Sequence, residues 1–201
     1  MISPAAPFDR PAASPSLQVE RASGLLCGVR QVPSPNCDDR PAGMAIDLIV
    51  IHCISLPPGQ FGGPWIEALF TNTLNPDAHP YFQIIKDLRV SAHLLIQRGG
   101  ELIQFVPFHR RAWQAGWSAF GGRAGCNDFA IGIELEGRND VAYTDLQYLY
   151  LATVVKALIQ AYPTITPERI VGHADIAPGR KTDPGCAFDW RRLREALGES
   201  E

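Results

Sequence analysis

The sequence predicts a single α/β domain, built on a central mixed β-sheet with helices on both faces. Three observations support this prediction. Residues 46–54 form a nearly continuous β-branched run, which is typical of a central strand covered on both faces. The predicted elements follow in the order β, α, ββ, β, α, β, α, which favours such a layered architecture. The 201 residues, 46% of them hydrophobic, are sufficient for one domain with a real core.

The bulk composition argues against several classes of partner. The net charge is −3 and no basic run is present, so binding to nucleic acid or to an anionic membrane surface is not expected. No apolar stretch approaches the ~20 residues that a membrane span requires, and the N-terminus does not resemble a secretory signal. The five cysteines are odd in number and widely spaced, which fits free thiols in a reducing compartment. We therefore expect a cytoplasmic protein.

The N-terminal part of the chain is expected to add little to the sheet. Residues 1–20 are rich in Pro, Ala and Ser and are interpreted as a disordered extension, so the domain itself is predicted to span residues 21–201. Residues 24–43 are expected to be an irregular lead-in. After the central strand, Pro64 is expected to open a helix that ends near residue 73.

The middle of the chain predicts a β-hairpin. Residues 90–97 and 101–106 read as strands, and the segment between them has the composition of a turn. Residues 74–88 are expected to be a surface excursion, and residues 109–117 show no clean period.

The next strand is predicted at residues 129–136, where three aliphatic side chains alternate with Gly132, Glu134 and Glu136. A solvated sheet face would explain the two glutamates. That explanation fails if the sheet is covered on both sides.

The C-terminal part predicts two helices and a short strand. A Thr-x-x-Gln capping box begins a long, mostly buried helix over residues 145–162. Residues 169–171 predict a short strand, and Asp189 is expected to cap a helix over residues 190–197.

Two strand ends carry candidate metal ligands. His173 follows the last strand, where it gives way to a loop that presents Lys181 and Asp183, and His52 lies near the end of the central strand. If these strands are parallel neighbours, the two imidazoles meet. Imidazole nitrogen and carboxylate oxygen are zinc ligands, and a catalytic zinc takes three protein ligands and a water. A solvated loop and an ordinary core or surface histidine are the alternatives. Cys53 points to the opposite face of its strand.

Seven segments together form a more specific pattern: 51–59, 90–93, 111–113, 126–129, 132–137, 172–178 and 181–185. This pattern resembles the cytoplasmic zinc amidases of bacterial cell-wall recycling, which belong with phage lysozyme-type amidases and peptidoglycan recognition proteins. The likeness runs in unbroken order over roughly residues 25–197, which makes it far more specific than any single motif.

The resemblance implies a zinc-dependent N-acetylmuramoyl-L-alanine amidase with its zinc cleft at the strand ends. Its substrate would be a small muropeptide, cleaved between the lactyl group of (anhydro-)N-acetylmuramic acid and L-alanine. Glu134 would be the general base, and Lys181 would stabilise the oxyanion. The implied zinc ligands are His52, His173 and Asp183. The implied substrate contacts are Arg89, Trp113 and Asn127.

Two other functions are compatible with parts of this pattern. A non-catalytic recognition module for cell-wall fragments could use the same fold, but recognition-type relatives typically lose the third metal ligand, and Asp183 is present. A structural zinc would need a fourth protein ligand, for which Cys186 is the only candidate. Cys53 stands where the family usually has Asn, which puts one substrate contact in question. We expect a monomer, although the sequence carries no direct signal for oligomeric state, preferred peptide length or strictness for the anhydro sugar.

Overall fold

The computed structural model describes residues 16–198, so the prediction for residues 1–15 lies outside the described part of the chain. The strands are β1 (Val19–Glu20), β2 (Leu25–Leu26), β3 (Arg30–Gln31), β4 (Cys37–Asp39), β5 (Leu48–Ile54), β6 (Leu94–Ile96), β7 (Leu102–Gln104), β8 (Arg110–Ala112), β9 (Ala119–Phe120), β10 (Arg123–Ala124), β11 (Ala130–Glu136) and β12 (Ile170–Gly172). The α-helices are α1 (Trp65–Phe70), α2 (Pro80–Ile85), α3 (Asp145–Ala161), α4 (His173–Ile176) and α5 (Trp190–Leu197). Short 3-10 helices cover Pro76–Ala78, Cys126–Asp128 and Pro167–Arg169.

Six strands form the central sheet in the order β12-β5-β11-β6-β7-β3. All neighbours are parallel except β6 and β7, which form the antiparallel hairpin that the sequence predicted. The predicted mixed sheet is therefore confirmed. Because β12, β5 and β11 run in parallel, their carboxyl ends meet at one edge of the sheet.

Helices cover both faces of this sheet. On one face, α3 and α5 pack over the odd-numbered residues of β5 and β11, and Thr144 and Gln147 form the predicted capping box at the start of α3. On the other face, α1 and α2 pack over the hairpin, and α4 packs near the start of β5. Within the described range, no helix is long and apolar enough to cross a membrane.

Strand alternation sorts the side chains of β5 and β11 between these two layers. Ile51 and Cys53 belong to the layer under α3, which confirms that Cys53 lies opposite His52. His52 extends the row of Leu48 and Val50 toward the other layer. Glu134 on β11 is paired in register with His52 on β5, so both side chains leave the sheet on the same face.

Several short elements differ from the prediction. The chain is already ordered before residue 20, because β1 pairs with β2 and Val19 packs on the layer under α3. The expected irregular lead-in contains β3, which joins the main sheet, and β4, which pairs with β8 from the segment without a clean period. Strands of two or three residues are too short to show a hydrophobic period.

Two local predictions were also wrong in detail. The expected surface excursion contains α2, which starts with Pro80 after the cap residue His79. Proline at the first helical position is a known start signal, so the sequence did carry this information. His173 begins α4 directly after β12 instead of entering a loop.

Candidate active site and metal centre

Three potential metal ligands converge at the carboxyl ends of β5 and β12. His52 Nδ1 lies 3.0 Å from His173 Nδ1, and each of these nitrogens lies 3.1 Å from Asp183 Oδ2. Within the described residues these are the side chains that form a metal-capable group. Parallel pairing of the two strands thus brings the two imidazoles together, as the sequence predicted.

The loop that carries Asp183 is held at Asp183 and at the next residue, Pro184. The backbone N–H of Ala174 donates to the Asp183 carbonyl at 2.9 Å, and the Tyr143 hydroxyl donates to the Pro184 carbonyl at 2.7 Å. Gly172 has no side chain, and a Cβ there would lie 2.8 Å from Pro184. The end of β12 and the Asp183 loop therefore approach closely only because residue 172 is glycine.

The chemistry of these three atoms fits a zinc ion. A tetrahedral zinc with bonds of 2.0–2.1 Å separates its ligand atoms by roughly 3.3 Å, close to the separations found here. Burial lowers the pKa of His52, which favours the neutral imidazole that metals bind. Burial would raise the pKa of Asp183, but its contacts with His173 and His52 hold that pKa well below the ordinary value. Two imidazole nitrogens and one carboxylate oxygen, all within contact, are a donor set that a divalent cation satisfies.

Cys186 does not complete a closed four-ligand site. Its thiol is exposed and lies 3.6 Å from the carbonyl oxygen of Asn139, outside the metal-capable group. Three protein ligands leave a coordination position for water or substrate, which is the pattern of catalytic zinc.

Glu134 contributes a carboxylate beside these ligands. Its Oε2 atom is buried and has no hydrogen-bond partner among the described residues. Burial and the negative charge of Asp183 raise the pKa of Glu134 well above its usual value, while Lys181 opposes the shift. A buried carboxylate with a free acceptor atom is a candidate general base.

Glu136 has a structural role, although it shares a strand face with Glu134. It is buried, and its two carboxylate oxygens accept hydrogen bonds from the backbone N–H groups of Gly62 and Arg98. The alternative of a solvated sheet face is therefore wrong for Glu136, because its carboxylate fastens two loops to the end of β11.

A cleft of about 370 Å³ encloses the candidate centre. Its polar end is lined by Gln114, Glu134 and Lys181 together with the three potential ligands. Its opposite wall is apolar and comes from the α1 and α2 region: Leu69, Phe70, Tyr81, Ile85, Leu88 and Val90. A larger groove of about 490 Å³ lies between α3 and α5 and contains none of the predicted site residues, so we assign the chemistry to the smaller cleft.

The three predicted substrate contacts do not line this cleft. Arg89 is exposed and donates to the carbonyls of Lys86 and Leu88. Trp113 is half-buried, and its backbone bridges two segments under the hairpin. Asn127 uses its side-chain oxygen to accept from two backbone N–H groups. Their roles toward a substrate remain predictions.

Cys53 does not reach the candidate metal site. Its thiol donates to Asn139 Oδ1 at 3.1 Å, and burial raises its pKa to about 12. Asn139 in turn donates to the Thr182 hydroxyl at 2.6 Å, between Lys181 and Asp183. The residue that departs from the family pattern is therefore a neutral thiol tied to the ligand-bearing loop.

The mixed sheet carries at its strand ends a cleft with three convergent metal-capable side chains and an adjacent buried carboxylate. This arrangement is that of a hydrolase site that could hold a metal ion. Comparison with known sequences narrows the class. Residues 42–186 match the family described as N-acetylmuramoyl-L-alanine amidase, and the chain belongs to that family.

Individual relatives resemble most of the chain. The chain is 61% identical over 171 residues to the 1,6-anhydro-N-acetylmuramyl-L-alanine amidase AmpD of Escherichia coli (strain K12). The aligned region covers 85% of this chain and 93% of that protein. A crystal structure of a selenomethionine derivative of AmpD matches with a TM-score of 0.85 at 58% identity, covering 87% of this chain and 97% of that one. AmpDh3 from Pseudomonas aeruginosa, solved in complex with anhydromuramic pentapeptide, matches with a TM-score of 0.58 at 30% identity, covering 78% and 61% of the two chains.

Proposed function

We propose that this chain hydrolyses the amide bond between (anhydro-)N-acetylmuramic acid and L-alanine in muropeptides, as a zinc-dependent enzyme of peptidoglycan recycling. The observation that carries the proposal is the convergence of His52, His173 and Asp183 next to Glu134 and Lys181 in one cleft. Family membership and the AmpD relatives support the choice of substrate. The relative AmpDh3 was solved in complex with anhydromuramic pentapeptide, which supports a muropeptide as the substrate class.

The proposed metal ligands are His52, His173 and Asp183. A zinc ion there would polarise the amide carbonyl and lower the pKa of a bound water to about 7. Glu134 would take the proton from the attacking water and pass it to the departing alanine nitrogen. The new bond would join the water oxygen to the lactyl carbonyl carbon, and the carbon–nitrogen bond would break. Lys181, two residues from Asp183, would donate to the negatively charged tetrahedral oxygen.

The apolar wall of the cleft is proposed to orient the substrate. It lies opposite the polar end, so a muropeptide bound between them would present its amide to the ligands while its methyl groups contact the wall. Arg89, Trp113 and Asn127 remain predicted contacts on the strength of the family resemblance. We further propose a cytoplasmic location, which the five free thiols support, and a monomer remains our expectation.

The experiment that tests this proposal is turnover of anhydro- and reducing-end muropeptides, measured side by side on purified protein. We expect release of the free stem peptide, its loss after zinc is removed by a chelator, and recovery when zinc is restored. Tight muropeptide binding without turnover by the zinc-loaded protein would favour the recognition module instead.

A further inference from the structure

Two consecutive residues each contact one histidine of the candidate centre. The Gln114 side-chain oxygen is hydrogen-bonded to His52 Nε2, and the Ala115 carbonyl oxygen lies 3.1 Å from His173 Nε2. Both acceptors are amide oxygens, which carry no proton. A histidine that binds a metal through Nδ1 keeps its proton on Nε2, and each Nε2 here faces an oxygen that can accept that proton. The segment is therefore matched to the tautomer that leaves both Nδ1 atoms, which lie 3.1 Å from Asp183 Oδ2, available to a metal.

The side chain of Asn127 accepts hydrogen bonds from the backbone of both residues of this segment. Asn127 Oδ1 accepts the backbone N–H of Gln114 at 3.2 Å and that of Ala115 at 2.8 Å. Asn127 belongs to the 3-10 helix directly before β11, the strand that carries Glu134. The segment is thus tied to the same element that positions the candidate base.

Two further contacts show that the segment is fitted to its position. A Cβ on Gly132 would lie 2.7 Å from the Gln114 side chain, so glycine at this position leaves room for the amide beside His52. Arg180 donates to the Ala115 carbonyl at 2.6 Å, on the oxygen that His173 also uses. The acceptor of His173 is therefore also held by Arg180, and the acceptor of His52 fits into the space beside Gly132.

We propose that Asn127 is a positioning residue for the metal centre, which acts through Gln114 and Ala115 to fix the tautomer and ring orientation of both histidine ligands. The inference rests on the proposed zinc site and assigns Asn127 a role distinct from its predicted substrate contact. Partners of metal-bound histidines typically change metal affinity 10- to 100-fold when they are removed. One asparagine that controls two such partners should show an effect of that size.

The test is the zinc dissociation constant, measured by competition with a chromophoric chelator, together with the visible absorption spectrum of the cobalt-substituted protein. We expect Asn127→Ala and Gln114→Leu each to weaken zinc binding 10- to 100-fold and to change the cobalt spectrum. Asn127→Asp keeps the acceptor oxygen and should retain most of the affinity. None of these readouts depends on turnover.

Asn36→Ala is the matched control. Asn36 is buried and Asn127 is half-buried, and both side chains hydrogen-bond to backbone groups. Asn36 donates to the carbonyls of Phe70 and Val90, but it contacts none of the three proposed ligands. Its loss should lower the melting temperature and change zinc affinity less than about threefold.

The outcomes separate this inference from the proposed function. If the unmodified protein binds no zinc, both are overturned. If it binds zinc and Asn127→Ala and Gln114→Leu bind it equally well, only the inference is overturned. Equal weakening in Asn36→Ala would also overturn it, because the effect would then follow general stability. If Asn127→Ala does not fold, Gln114→Leu decides. This variant removes the acceptor of His52 but leaves the backbone hydrogen bonds to Asn127 intact.

Discussion

Mild acid should destabilise this protein through His93, a fully buried histidine beneath the candidate site. Its Nδ1 accepts the backbone N–H of Gly132 at 3.0 Å, and its Nε2 donates to the Arg110 carbonyl at 3.1 Å. The Arg40 guanidinium lies 3.1 Å from the same Nε2. Burial, and then the positive charge of Arg40, lower the pKa of His93 from 6.5 to about 3. Protonation would break the Gly132 contact and place a second positive charge beside Arg40.

The direction of the change in unfolding free energy with pH follows from the protons bound in each state. Between pH 6.5 and 3 the unfolded chain binds a proton at His93 that the folded protein does not bind. The stability is therefore complete above pH 6.5 and is lost as the pH falls toward 3. With these two pKa values, His93 alone should lower the free energy of unfolding by about 2 kcal/mol between pH 7 and pH 5. For a chain of this size that corresponds to a fall in melting temperature of roughly 4–8 °C.

The assay is urea unfolding of metal-free protein at pH 7 and pH 5, for the unmodified chain and for His93→Asn. Asparagine keeps an acceptor for the Gly132 N–H but does not titrate, so the variant should lose about 2 kcal/mol less over this interval. All other ionisable groups are common to the two proteins, so their contributions cancel in the comparison. Equal losses in the two proteins would refute the reasoning and mean that His93 already accepts a proton in the folded state.

Four other perturbations test the remaining assignments. Glu134→Gln should lower kcat ~10²–10⁴-fold, and Lys181→Ala should lower it ~10²–10³-fold. Both variants should keep the zinc content and melting temperature of the unmodified protein. A near-normal kcat in either variant would mean that the substituted residue does not have the proposed catalytic role. Glu136→Gln should instead cost about 1–3 kcal/mol of unfolding free energy, measured in urea, because one of two buried N–H donors loses its acceptor; unchanged stability would contradict the structural role. Deletion of residues 1–20 removes Leu17 and Val19 from the core and should lower the melting temperature by several degrees; an unchanged value would show that β1 is dispensable.

The long elements could be predicted from local sequence alone. The capping box of α3 and the apolar run of β5 each carry their own signal over many residues, and both lie where the sequence placed them. By contrast, β4 and β8 pair across more than 70 residues and are joined by the ion pair of Asp38 with Arg111 at 2.6 Å. No local period encodes such a pairing, because its stability comes from a distant partner.

The residues of the candidate site likewise divide into those that the sequence predicts and those that only the folded structure reveals. His52 and His173 could be found because strand ends and the family resemblance both point to them. The oxygen that orients His173 could not, because it is the backbone carbonyl of Ala115, and a backbone group has no residue signature. Gln114 is polar but lies in a stretch without a period, so only the folded chain shows that its amide reaches His52.

Glu134 and Glu136 show how hydrogen-bond partners separate function from structure. The two residues share a strand face, and sequence reasoning gave both the same solvated alternative. In the fold, Glu136 satisfies its carboxylate with two backbone N–H groups, whereas Oε2 of Glu134 has no partner in the described range. A buried acceptor without a partner costs about 1–3 kcal/mol, and the fold could avoid that cost with an apolar residue. The presence of Glu134 beside three convergent metal-capable ligands is therefore better explained by a role in proton transfer than by a contribution to stability.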